Sequence, residues 1–142
     1  MRDKGTRPDK RVQLELGGQN PLIVMADADA DLDRAVQAAF GGAFWSAGQK
    51  CTAAPPHRRT PHLHVQDEFS EPFKTNVLAR MGRARVGAPD DPETEVGPLV
   101  SEAQFQEITV AIERGEQEGG TLAAGGECPD LDSYLVTPAL FA

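Results

Sequence analysis

The sequence predicts an α/β layer, a parallel sheet with helices flanking it. Two observations carry that reading. Short apolar runs alternate with longer stretches whose apolar residues recur at helical spacing, the order expected of strand–helix–strand units. Residues 21–25, PLIVM, are also continuously apolar, which suits a strand buried on both faces.

The elements follow in order. Residues 1–11 are charged and hold Gly5 and Pro8, which predicts an arm outside the core. Residues 12–16, VQLEL, alternate apolar and polar as a strand does, and Gly17-Gly18 breaks the run. After 21–25 a helix is expected, capped by Asp29 or Asp31, with Asp33 favoured in its first turn by the helix dipole. Leu32, Val36, Ala39, Phe40, Ala43 and Phe44 form its apolar stripe, and the segment ends at Gly48. Gly41-Gly42 weakens the helix by about 1 kcal/mol per glycine and predicts close packing against another backbone. Residues 54–66, APPHRRTPHLHVQ, are rich in proline and make both a poor strand and a poor helix. Phe69, Phe73, Val77 and Met81 sit four apart on an amphipathic helix whose first turns Pro72 strains. Residues 87–98 are a polar loop. Ser101 and Gln104 match a capping box ahead of a stripe of Phe105, Ile108 and Ile112, and Gly119-Gly120 stops that helix. Runs at 121–124 and 134–136 suggest further strands, and Cys128 falls in a loop.

Composition narrows the function. The 142 residues carry 14 Lys+Arg against 22 Asp+Glu, a net charge of −8, which argues against nucleic acid as the main partner. No apolar run approaches the roughly 18 residues of a membrane span, and no apolar segment follows the charged N-terminus as a secretory signal requires. Cys51 and Cys128 form no disulfide framework, so a reducing cytoplasmic setting is expected. The phosphate-cradling and CxxC motifs and the HExxH zinc motif do not occur. His57, His62 and His64 lack ligands at familiar spacing, so no metal is expected.

Glu15 and Cys51 each stand in a distinctive setting. Glu15, in LELGGQNP, sits where a strand meets glycines that permit close approach of a ligand. It reads as a general base, or as a surface glutamate before a turn. Cys51 follows the glycine turn of FWSAGQK. It reads as a nucleophile, for which a base or a local positive potential must raise its thiolate fraction, or as a small buried residue.

Taken together, VQLELGGQNPLIV, DADADLDRAVQAAFGGAFWSAGQKCTA, RVGAPDDPETEVGPLVSEAQF, EGGTLAAGGE and YLVTPALF resemble, in the same order, the motifs of the aldehyde dehydrogenase superfamily. The resemblance covers residues 12–53 and 67–142, so 12–142 is expected to be a partial catalytic domain, truncated at both ends. It implies oxidation of an aldehyde to a carboxylic acid with NAD or NADP. Cys51 would attack the carbonyl, and Glu15 would activate the water that hydrolyses the resulting thioester. The backbone N–H of Cys51 would be one oxyanion donor, and Gly17 would lie in the turn that approaches the nicotinamide. Phe44, Trp45, Lys50 and Thr52 would neighbour the substrate. The family forms homo-oligomers, dimers or tetramers.

The departures are as specific as the match. Family chains are several times longer, and most of the cofactor site is expected outside this stretch, so the isolated chain is expected to be inactive. Residues 54–66 do not resemble the family. They read as a pair of compensating frameshifts or as a genuine insert, and either predicts the loss of the strand that normally follows the cysteine. Gln19 stands where the family usually has lysine, and DADADLD carries an extra Asp-Ala pair. A rival expectation is a non-catalytic remnant or an interaction module that associates with intact family subunits. A third is esterase chemistry at Cys51 without hydride transfer.

Overall fold

A computed structural model describes residues 21–50, 63–129 and 133–142, with only the backbone of Asp29 and Ala30. The expected arm at 1–11, the strand at 12–16, Gly17-Gly18 and residues 51–62 lie outside the described residues, as does the side chain of Asp29.

Strand β1, Leu22–Val24, leads through a 3-10 turn, Ala26–Asp31, into helix α1, Leu32–Phe44. Asp31 is the N-cap. Its carboxylate accepts a hydrogen bond from the backbone N–H of Arg34 at 3.2 Å, which satisfies one of the orphan donors of the first turn. Strand β2, Leu63–Val65, pairs parallel with β1 in the register Leu22↔Leu63, Ile23↔His64, Val24↔Val65. The α1 crossover between parallel strands is the α/β unit that the alternation predicts.

β2 corrects one expectation. The proline content of residues 54–66 predicts no strand there, but the prolines end at Pro61 and leave Leu63-His64-Val65 able to pair, in the apolar–polar–apolar order of a strand. The two strands are also stitched beyond their ends. Gln66 donates its backbone N–H to the Val24 carbonyl at 3.1 Å, and its side-chain oxygen accepts from the backbone N–H of Ala26 at 3.0 Å.

Helix α2, Asp67–Met81, turns the predicted stripe inward, with Phe69, Phe73, Val77 and Met81 all buried. Against them pack Val24 of β1, Val36, Ala39 and Phe40 of α1, and Val96 from the following loop. Phe73 is fully buried at the centre. Arg80 closes the layer from above. Its guanidinium lies 3.9 Å from the Phe40 ring centre, its Nε donates to Gln37, and it forms a two-pronged ion pair with Glu95.

Residues 82–101 form the long polar loop, but it is not loosely held. A parallel bridge joins Val86 to Val96, and Gly87 donates its backbone N–H to the Val96 carbonyl at 3.1 Å. Residues 88–93 stand exposed between these anchors. Ser101 caps helix α3, Glu102–Gln117, by accepting from the Gln104 N–H. Only half of the expected capping box forms, because the Gln104 side chain bonds Glu107 instead. Strand β3, Leu122–Ala124, pairs antiparallel with β4, Leu140–Phe141. The strand expected at 134–136 is absent. Tyr134 has φ +55°, which is incompatible with a strand, and pairing begins only at Leu140.

Two packing expectations are also corrected. β1 is not buried on both faces among the described residues: Ile23 is 64% exposed and Met25 56% exposed, while Val24 points into the core. Gly41 and Gly42 do not mark a close helix contact, since a Cβ at either would meet nothing within 4 Å among the described residues.

Candidate functional site

The parallel pairing fixes the end at which the chain enters β1 and β2. Leu22 lies opposite Leu63 with both strands running the same way, so the chain enters β1 and β2 at the same end of the pair. Glu15 precedes Leu22 by 7 residues and Cys51 precedes Leu63 by 12. Glu15, Gly17 and Cys51 themselves lie outside the described residues, as do Thr52, His57 and His62.

The chain leading to Cys51 is described up to Lys50. α1 ends at Phe44 and passes into a tight turn, Trp45–Gly48. Ser46, Ala47 and Gly48 all lie in the left-handed region, at φ +58°, +54° and +70°. Glycine adopts this geometry readily, whereas an L-residue there costs roughly 1–2 kcal/mol, so Ser46 and Ala47 need external support. Gly48 is buried, and a Cβ there would stand 3.1 Å from the Ala43 carbonyl oxygen.

Gln49 supplies support. Its backbone N–H and its Nε2 both donate to the Ser46 carbonyl, at 3.0 and 3.2 Å. Nε2 also faces the Pro98 carbonyl at 3.4 Å, and Oε1 accepts from the Val100 N–H at 2.8 Å. One amide therefore closes the turn on itself and ties it to the loop ahead of α3. That loop is anchored in turn, because Leu99 is buried and donates its N–H to the Tyr134 carbonyl at 3.0 Å. Lys50, the last described residue before Cys51, holds its ammonium 5.3 Å from the centre of the Trp45 ring, which is 69% exposed.

Sequence reasoning did not single out Gln49. The signal lay in GQKC, where a polar residue with both a donor and an acceptor follows a turn-forming glycine. The Pro98 and Val100 partners have no sequence signature, because they contribute only backbone groups.

No group of three or more metal-ligating side chains gathers among the described residues. No helix among them is long and apolar enough to cross a membrane. A cleft of about 540 Å³ lies between α3 and the 122–128 stretch, lined by Phe105, Ile112, Leu122, Gly126 and Cys128 among others, and none of residues 45–50 lines it. Cys128 is a half-buried free cysteine in a loop, as expected, and burial pushes its thiol pKa up.

Comparison with known proteins decides the family. The sequence model of the aldehyde dehydrogenase family matches residues 1–142. This chain belongs to the aldehyde dehydrogenase family. A betaine aldehyde dehydrogenase of Cereibacter sphaeroides is 41% identical over 133 residues, covering 94% of this chain and 26% of that protein. Among solved structures, HpcC from Thermus thermophilus is 38% identical with a TM-score of 0.78, covering 89% of this chain and 25% of its own. Betaine aldehyde dehydrogenase from Staphylococcus aureus, in complex with NAD+, is 31% identical with a TM-score of 0.79, covering 89% of this chain and 24% of its own. The chain thus spans about a quarter of the length of the aldehyde dehydrogenases it matches.

Proposed function

We propose that the protein to which this chain belongs oxidises an aldehyde to a carboxylic acid with NAD or NADP, Cys51 serving as nucleophile and Glu15 as general base. What supports this reading is the pair of sequence motifs together with the parallel register of β1 and β2, the strands that follow Glu15 by 7 residues and Cys51 by 12. The Cys51 thiolate adds to the carbonyl carbon, and its own N–H helps to hold the oxyanion of the tetrahedral adduct. NAD(P)+, when bound, supplies the hydride acceptor that converts the adduct to a thioester. Glu15 then takes a proton from water, the water attacks the thioester carbonyl, and the acid leaves as Cys51 is regenerated.

The described helices offer the cofactor's diphosphate no cradle. α1, α2 and α3 each carry acidic side chains in the first turn, Asp33, Asp67 with Glu68, and Glu102, where an anion would be repelled. The cofactor contacts of this reading therefore rest on Gly17 and on parts of the relatives that this chain does not span. The 142-residue chain alone is accordingly inactive. The reading also carries a cytoplasmic, homo-oligomeric enzyme acting on a small aldehyde.

The test is NAD(P)H production from a panel of aldehydes. The protein containing this stretch at full family length turns over and the 142-residue chain does not. Cys51→Ala abolishes turnover, and Glu15→Gln slows it about 10²–10⁴-fold, the usual range for loss of a general base. Full turnover by Cys51→Ala sinks the assignment.

A second reading, association of this chain with intact family subunits, is favoured by the exposure of Ile23, Met25, Trp45 and Val100. It predicts co-elution with an intact homologue on size exclusion, weakened by Ile23→Lys. Separate elution removes it.

A further inference from the structure

We infer that Gln49 is a positioning residue for Cys51, its side-chain amide fixing the chain two residues before the cysteine. The inference rests on the reading of Cys51 as nucleophile for its meaning, and on geometry for its substance. Three consecutive left-handed residues lead into Gln49, two of them not glycine, and such a run persists only where its surroundings over-determine it. Gln49 does this with both ends of one amide. The Nε2 end closes the turn onto the Ser46 carbonyl and reaches Pro98, and the Oε1 end takes the Val100 N–H. The partners at 98 and 100 flank Leu99, whose side chain is buried and whose N–H is bonded to Tyr134, so the clasp closes on a fixed support. Two residues of chain reach at most about 7 Å, so fixing Gln49 limits how far from it the next positions of the chain can lie.

Backbone carbonyls and an N–H recognise the amide, and therefore isosteric charge is discriminating. Gln49→Glu keeps an acceptor for Val100 but sets a carboxylate oxygen against the Ser46 and Pro98 carbonyls. Gln49→Ala removes every side-chain bond.

The test compares rates of iodoacetamide alkylation at Cys51 and Cys128 in the intact 142-residue chain, read peptide by peptide by mass spectrometry across pH. Cys128 is the internal reference for global structure. In both variants the Cys51 rate changes by at least about threefold, the factor set by one lost hydrogen bond, and its pH profile moves, while Cys128 stays at its wild-type rate. An unchanged Cys51 rate and profile overturns the proposal. So does a parallel rise at both cysteines in both variants, which would make Gln49 a residue of general stability. The comparison needs no turnover. Activity retained by Cys51→Ala would therefore sink the proposed function and leave the positioning result standing.

Discussion

At the residue scale, the ion pair of Arg80 and Glu95 ties the stability of the described core to pH. Glu95 accepts from the Arg80 guanidinium and from the backbone N–H of Arg85, and the Arg80 bond above all holds its carboxyl below its ordinary value, against desolvation, which raises it by more than the Arg85 bond lowers it. The sign follows from linkage. A carboxyl whose folded pKa is depressed contributes stability that is fully present above its unfolded pKa and is lost as pH falls through the folded one. The Glu95 side chain is 39% exposed, so solvent screening keeps the contribution small. The expected outcome is a loss of stability below the ordinary glutamate pKa that is smaller in Glu95→Gln than in wild type, measured as urea midpoints between pH 3 and 7. Superimposable pH profiles would remove the role assigned to the pair.

At the scale of elements, α2 is where the sequence was most legible. The four-residue spacing of Phe69, Phe73, Val77 and Met81 specified both the helix and its buried face, and Pro72 did not prevent it. The cap at Ser101 was legible in its first half, and Asp31 was one of two candidates, Asp29 or Asp31, since capping depends on one side chain and its near neighbours. What failed depended on distant partners. β2 forms because Leu63–Val65 finds β1 across a crossover, and the strand expected at 134–136 is displaced because Tyr134 turns to accept from Leu99. The candidate site divides in the same way. Glu15 and Cys51 are read from local motifs, whereas the Gln49 clasp uses backbone groups about fifty residues away that carry no signature. Because Phe73 is fully enclosed by α1, β1 and its own helix, Phe73→Ala should cost about 3–5 kcal/mol, read as a fall in the urea midpoint with little change in slope. A cost below about 1 kcal/mol would mean that this core collapses without it.

At the scale of the whole molecule, the chain is a quarter-length of its relatives that still encloses a core of its own, built from α1, α2 and β1. Among the described residues, exposed apolar side chains sit at and just after β1 (Ile23, Met25), around the turn before Cys51 (Trp45, Val100) and on α3 (Val110), and the whole chain carries a net charge of −8. Family membership was legible from the order of several motifs, because order survives where single residues are ambiguous. The bridge between Val86 and Val96 has a practical consequence. It pins both feet of a loop whose tip, 88–93, is exposed and held only by its own turns and by the Arg85–Glu93 ion pair at the surface, so extra residues inserted there need not disturb the anchors. Lengthening such a closed loop is entropically cheap, about 0.6 kcal/mol per doubling. A reporter peptide spliced between Asp90 and Asp91 would give the molecule a handle without touching its core or the approach to Cys51.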